Sequence, residues 1–313
     1  MVGLRNNEKA FMRQRTSIIG RLKVLVGAAL LAAGIGAPAH AETQGIKLYV
    51  FSSGALTIGK GLLQNLAPND PPIQIPVGFF VIKHPKGTLL FDTGNNDKII
   101  TDGSYWGPFL KSLNPVRTPE VAIDTQLAKI GLKLDDITYV IPSHLHLDHG
   151  GNISKFPNAT KIIQRDEIRN AFWPAENTQG PYVFGDFAFL REGLYESPLP
   201  NKGKLLQIDG DLDLFHDGSV VLRKWSGHTP GSQLLLVRLP KTGLIVLTGD
   251  TIYFRENVEK NIPPNVVLAY DPTAILRAYE YVRFLQATEN ADYFTAHDPD
   301  AFKALKKAPE FYE

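Results

Sequence analysis

Cysteine is absent from all 313 residues. No disulfide can staple this fold, and no metal site in it can rest on a thiolate. Stability must therefore come from a hydrophobic core and from any ions the chain binds. A long apolar run is missing too. The stretch 24–37 is too short to span a bilayer comfortably. It follows Arg5, Lys9, Arg13, Arg15, Arg21 and Lys23 and precedes Ala39-His40-Ala41, a small-x-small cleavage pattern. Residues 1–41 therefore read as a secretory signal peptide and 42–313 as one mature domain, expected in the periplasm or outside the cell. Nor does one sign of charge dominate: 33 Lys/Arg stand against 32 Asp/Glu. Removing the leader takes away six basic residues and one acidic residue, leaving 27 against 31 and a net charge of −4. A mildly acidic protein with no basic run gives nucleic acid no electrostatic footing. Neither a nucleic-acid partner nor stable membrane insertion after leader removal is expected. Monomer and homodimer both stay open. No internal repeat is visible, and 43% hydrophobic residues suffice for one large domain or two small ones.

Histidine is what the chain does have in informative places. Ser143-His144-Leu145-His146-Leu147-Asp148-His149 sets four potential ligands within six residues, followed by Gly150 and Gly151. Imidazole and carboxylate suit zinc and similar divalent ions, and such crowding of histidine is rare without a metal or catalytic role. The preceding residues 137–141 are β-branched and apolar, so they read as a buried strand. Strand alternation would then point His144 and His146 to the same side, leaving Asp148 and His149 to serve a second ion. Three more ligand types stand at the ends of strand-like runs. His228 lies in Gly227-His228-Thr229-Pro230-Gly231, Asp250 closes Leu247-Thr248-Gly249-Asp250, and His297 closes Thr295-Ala296-His297. His40, His84 and His216 have no such context.

The hydrophobic periodicity predicts strands at 46–52, 76–83, 87–92, 137–141, 160–164, 204–208, 219–225, 233–238, 243–249 and 292–296. Helices are predicted at about 119–132, 164–172 and 272–288, the last opening on Asp271-Pro272 as cap and first-turn proline. The Gly/Pro/Asn-rich stretches 54–75 and 174–203 read as loops. Strands mixed with peripheral helices, with ligands at strand ends, suit two face-to-face sheets between helix layers, an α/β (α+β) architecture.

The His-x-His-x-Asp-His run, the Gly-His-Thr-Pro-Gly turn, the Thr-Gly-Asp strand end, the final Ala-His and the earlier Leu89-Leu90-Phe91-Asp92-Thr93-Gly94 together resemble the metallo-β-lactamase superfamily. Within it, 143–152, Ile163-Gln164-Arg165-Asp166-Glu167, Gly249-Asp250-Thr251-Ile252-Tyr253, Ala269-Tyr270-Asp271-Pro272 and Pro309-Glu310-Phe311-Tyr312 are similar to the N-acyl-homoserine lactonases. The resemblance implies a four-layer αββα sandwich whose two halves part near residue 200. It implies two divalent ions, zinc expected: His144, His146 and His228 on one, Asp148, His149 and His297 on the other, and Asp250 bridging. It further implies water activated by the ions, a lactone carbonyl polarised by Tyr253, and Asp148 as proton donor to the departing ring oxygen. Asp92 is a candidate to orient a ligand histidine, or else merely ends its strand. An apolar wall for the acyl chain is expected to include Leu147 and Leu268, with Tyr105, Trp106 and Phe109 at its mouth. Other ester or lactone hydrolases, thioester hydrolases of the glyoxalase II type and organophosphate hydrolases of the superfamily fit the same residues. A closed, non-catalytic metal site is the alternative of a different class.

Overall fold

Alternation along the strands sets the architecture. In β1 (Lys47–Ile58), β2 (Ile73–His84) and β3 (Gly87–Phe91), successive side chains point to opposite faces, and both faces are apolar. Leu48, Val50, Phe80, Ile82, Leu89 and Phe91 enter one core, whereas Tyr49, Phe51, Phe79, Val81 and Leu90 enter another. Strands apolar on both faces must be covered twice. β4 (Tyr139–Ile141), β5 (Thr160–Gln164) and β6 (Leu205–Ile208) complete this sheet in the order β1-β2-β3-β4-β5-β6. Its first two pairings are antiparallel and the other three parallel.

A second sheet holds β7 (Leu212–Asp213), β8 (Val220–Lys224), β9 (Gln233–Leu239), β10 (Gly243–Leu247) and β11 (Asp292–Phe294), ordered β11-β10-β9-β8-β7. Leu235, Val237, Ile245 and Leu247 meet the first sheet, while Leu234, Leu236, Leu244 and Val246 face outward. The outward set is covered by Ile275, Tyr279, Val282 and Leu285 of the helix Pro272–Glu289. Burying an aliphatic side chain of this size contributes about 1.5–3 kcal/mol. That helix starts as its sequence predicts: the Asp271 side chain accepts from the Thr273 and Ala274 N–H groups at 2.8 and 3.1 Å. On the far side, Ile123, Leu127, Ile168, Ala171 and Phe172 of two helices cover the first sheet. The layers run helix, sheet, sheet, helix, the αββα sandwich.

The structure, a computed structural model, describes residues 45–176, 180–191 and 204–313. The expected leader and residues 177–179 and 192–203 of the second predicted loop lie outside the described residues. Among those described, no helix is long and apolar enough to cross a membrane. Several sequence-based boundaries need correction. The stretch 54–75 is not one loop: β1 continues to Ile58, the helix Lys60–Leu63 follows, and β2 starts at Ile73. The two strands pair from Ala55↔Pro76 to Ile58↔Ile73 after an irregularity between Ser52 and Ala55. There Gly54 takes φ +103°, and an added Cβ would stand 2.9 Å from the Val116 carbonyl oxygen. The glycine that suggested a loop is the bend of a paired strand. The predicted helix 119–132 is two short pieces, Pro119–Val121 and Ile123–Ala128. The halves part between Ile208 and Leu212, since the 204–208 run joins the first sheet as β6.

Candidate metal centre

Four strand ends deliver all seven candidate ligands. His144, His146, Asp148 and His149 follow β4, His228 follows β8, Asp250 follows β10 and His297 follows β11. All seven side chains are buried. Their donor atoms form three overlapping groups, each within 4.8 Å: His144 with His146 and His228, His144 with His149 and Asp250, and Asp148 with His149 and His297. Asp250 lies between the outer two. Its Oδ1 is 2.9 Å from His149 Nε2 and 3.0 Å from His297 Nε2, and its Oδ2 is 3.5 Å from His228 Nε2 and 3.9 Å from His144 Nε2.

Four of the five imidazoles are oriented from behind. His149 Nδ1 is 2.9 Å from Asp92 Oδ2, His228 Nδ1 is 2.7 Å from the Leu268 carbonyl oxygen and His297 Nδ1 is 2.7 Å from that of Pro76. These are acceptors, so in each of these rings the outer nitrogen donates and Nε2 is the atom turned toward the centre. His144 Nδ1 reaches Ser143 Oγ at 3.0 Å, and that hydroxyl donates to Asp92 at 3.1 Å. Asp92 thus orients one ligand directly and a second through Ser143, which resolves its two expected roles. His146 is turned round. Its Nδ1 faces inward, 3.0 Å from the Nε2 atoms of both His144 and His228. The expected strand alternation is not what aligns His144 with His146, because β4 ends at Ile141 and both lie in the loop beyond.

The electrostatics describe a site prepared for cations. Burial, reinforced by neighbouring imidazoles, pushes His144 and His146 well below the ordinary histidine range, and burial lowers His228. Burial opposes the charged form of His149 as well, but Asp250, Asp148 and Asp92 push it well above; His297 is raised against burial chiefly by Asp250. Burial would raise Asp250, yet His149 and His297 hold it well below the usual carboxylate range. Without a cation, protons on two histidines balance the carboxylates. Asp250 Oδ1 nevertheless makes no hydrogen bond of good geometry with its two close histidine neighbours, and His144 Nε2 and His146 Nδ1 face one another at 3.0 Å. Two divalent ions fit this donor set, relieving both.

A cavity of about 430 Å³ opens onto these residues. Leu56, Ile58, Leu62, Leu63, Ile75, Phe109, Leu113 and Leu268 form its apolar wall, with Asp148, His146, His228, Asp250, His297 and Tyr253 at the polar end. The Tyr253 hydroxyl is 3.2 Å from His228 Nδ1. Burial first, then Asp250 and Asp148, push this hydroxyl well above its ordinary pKa, so it remains a donor. The expected substrate wall needs correction. Phe109 and Leu268 line the cavity, but Leu147 and Trp106 are buried in the packing behind it, and the Tyr105 hydroxyl donates to Asp186 at 2.8 Å. Leu147 and Trp106 are apolar beside a site because they support it. The aliphatic residues of β1, β2 and 60–63 went unassigned because that region reads as a loop. The Leu268 and Pro76 carbonyls carry no sequence signal, since every residue has one.

Comparison with known proteins follows the same segments. The sequence model of the metallo-beta-lactamase superfamily matches residues 75–297. An N-acyl homoserine lactonase AttM of Azorhizobium caulinodans is 36% identical, over 86% of this chain and 99% of that protein. An N-acyl homoserine lactonase of Bacillus cereus is 29% identical, over 85% and 98%. Among solved structures, an N-acyl homoserine lactone hydrolase with N-hexanoyl-L-homoserine bound at its catalytic metal centre superposes with a TM-score of 0.70 at 27% identity, covering 85% of this chain and 98% of that one. The dizinc lactonase AidC shares the fold at 18% identity and a TM-score of 0.58, covering 86% and 94%. The matched span holds every strand end that supplies a ligand, and this chain belongs to the metallo-beta-lactamase superfamily.

Proposed function

We propose that the chain is a dinuclear-metal hydrolase that opens the lactone ring of N-acyl-homoserine lactones. One observation carries the reading: five of the seven candidate ligand residues, His146, Asp148, His228, Asp250 and His297, close with Tyr253 the polar end of a cavity whose wall is largely aliphatic. That polarity matches a substrate with a small cyclic ester head and an apolar tail, and the similarity to proteins named N-acyl homoserine lactonases points the same way. Bound divalent ions, zinc being the expected pair for sulfur-free imidazole and carboxylate donors, supply activation of water near neutral pH and polarisation of a carbonyl.

The chain's own residues do the rest. His144, His146 and His228 would hold one ion and Asp148, His149 and His297 the other, with Asp250 available to both. Tyr253 donates its proton toward the carbonyl oxygen as charge builds there, a preorganised contact of the kind that dominates acyl-transfer catalysis. As water adds to the carbonyl carbon, the Asp148 carboxylate takes up one of its protons. The ring C–O bond then breaks and Asp148 passes that proton to the departing oxygen, leaving a free hydroxyl and a carboxylic acid that loses the second water proton to solvent. Asp148 suits that role because its side chain lines the cavity, its Oδ2 3.5 Å from His297 Nε2. Leu268 and the wall from β1 and 60–63 hold the tail. Residues 1–41 act as a cleaved leader and the enzyme works outside the cytoplasm; mass spectrometry of the native protein beginning at Glu42 supports this, and a retained leader refutes it.

The decisive experiment follows proton release at constant pH with zinc-loaded protein. Short- and long-chain N-acyl-homoserine lactones, a thioester and an organophosphate triester are compared by kcat/KM. The lactones are expected to lead; faster thioester or triester turnover overturns the substrate assignment.

A further inference from the structure

Glu167 is fully buried in the first turn of the helix Arg165–Phe172 and is not one of the seven candidate ligands. Its Oε1 accepts from the Leu145 backbone N–H at 2.8 Å and from the Tyr182 hydroxyl at 3.0 Å. Its Oε2 accepts from the Thr229 hydroxyl at 2.5 Å, and the Gly231 N–H donates as well. Every donor belongs to a segment that carries or covers a ligand of the first trio. Leu145 lies between His144 and His146, and Thr229 and Gly231 lie in the turn of His228. Tyr182 sets its ring edgewise on His146, centroids 4.6 Å apart. The approach is so close that a Cβ on Gly231 would stand 2.4 Å from Glu167 Cβ. The second trio hangs elsewhere, His149 on Asp92 and His297 on the Pro76 carbonyl.

We propose that Glu167 is the positioning residue of the first ion: it fixes the metal run, the His228 turn and the segment over His146 relative to one another, and so sets that ion's affinity independently of the second. A carboxylate is required because it only accepts, and four donors converge on it. A glutamine of the same shape would turn an N–H₂ group toward one oxygen's worth of donors. The inference rests on the dinuclear reading above but not on the identity of the substrate.

The test loads full-length wild-type, Glu167→Gln, Thr229→Val and Asp92→Asn proteins with zinc and dialyses them against graded chelator. Zinc per chain is read by elemental analysis, and the occupancy of each position by anomalous scattering from crystals. Disturbing a hydrogen bond behind a ligand typically weakens metal binding about 10- to 100-fold. Glu167→Gln is expected to empty the His144/His146/His228 position by that factor while the other stays filled, with Thr229→Val shifting the same way by less. Asp92→Asn is expected to weaken the opposite position more. Equal loss at both positions in Glu167→Gln, or retention of both at wild-type chelator concentrations, overturns the inference. Should Glu167→Gln fail to fold, Thr229→Val and Tyr182→Phe decide it by the same comparison. A wild-type protein that binds fewer than two ions would overturn the dinuclear reading itself, a separate and distinguishable failure.

Discussion

Asp92 adopts φ +61° although it is not glycine. Such a backbone costs energy unless its surroundings over-determine it, and here they do: its carboxylate meets the Ser143 N–H, the Ser143 hydroxyl and His149 Nδ1. The strained residue is the one that aims two ligands. Tyr253 is the residue whose role kinetics can isolate. Tyr253→Phe removes one hydroxyl and leaves every ligand in place, so lactone kcat/KM should fall about 10- to 1000-fold with zinc content unchanged. Unaltered turnover would make it a packing residue. Leu268 has two parts to play, its carbonyl behind His228 and its side chain in the cavity wall. Leu268→Ala keeps the carbonyl and shortens the wall. Each acyl methylene should add up to ~0.8 kcal/mol of binding until the wall is filled, so KM should fall with chain length in the wild type and fall less in the variant. A flat KM in both would remove the wall from substrate binding. The candidate ligands were legible in the sequence because imidazoles seldom cluster by chance. Their supports were not: Ser143 is a common residue type, and Glu167 looks like any acidic residue in a helix's first turn until its burial is known.

Among the elements, the segment 180–190 depends most on tertiary contacts. The Leu147 N–H donates to the Pro181 carbonyl at 3.0 Å, and a Cβ on Gly180 would fall 2.3 Å from His146 Nε2. Asp186 in this segment ties it to another: its Oδ1 accepts from the Asn96 amide at 2.7 Å and the Tyr105 hydroxyl at 2.8 Å. Burial pushes the Asp186 carboxyl up to about 7, against the opposing effect of those two hydrogen bonds. The raised value makes the folded state bind a proton that the unfolded chain has already released. Stability contributed by this residue is therefore greatest below the ordinary aspartate range and declines as pH rises toward 7. Asp186→Asn keeps the acceptor and removes the titration. The zinc-loaded variant should show a flatter melting temperature between about pH 4 and pH 7 than the wild type. Parallel profiles would show that this carboxyl does not titrate across the window. The helix Pro272–Glu289 contrasts with this segment: its cap, proline and apolar stripe are all local, and its bounds follow from sequence within a residue or so.

At the scale of the whole molecule, stability and activity are expected to depend on the same ions. With no cysteine, no covalent staple holds the four strand ends together. Buried within a few ångströms are two carboxylates and five imidazoles. Removing the ions restores repulsion and desolvation costs that they offset, so the chelated protein should melt at a lower temperature and recover when zinc is returned. Calorimetry showing the same midpoint with and without chelator would separate the centre from the stability of the fold, and one ion or none at full activity would refute the two-ion centre.

Local chemistry determined a good deal from the sequence alone: the seven candidate ligands that the fold brings together, the αββα layering, and the long helix with its caps. Each is a residue type or a period read within a few positions, and binding chemistry or burial admits few alternatives. Only the tertiary structure decided that His146 turns its Nδ1 inward and that β1 runs on to Ile58 through a glycine bend. The same holds for Leu147 and Trp106 standing behind the cavity and for Glu167 beneath both histidine loops. Those outcomes depend on which segments, tens of residues apart, come within hydrogen-bond or van der Waals reach. Composition and periodicity describe neighbours along the chain and not across it.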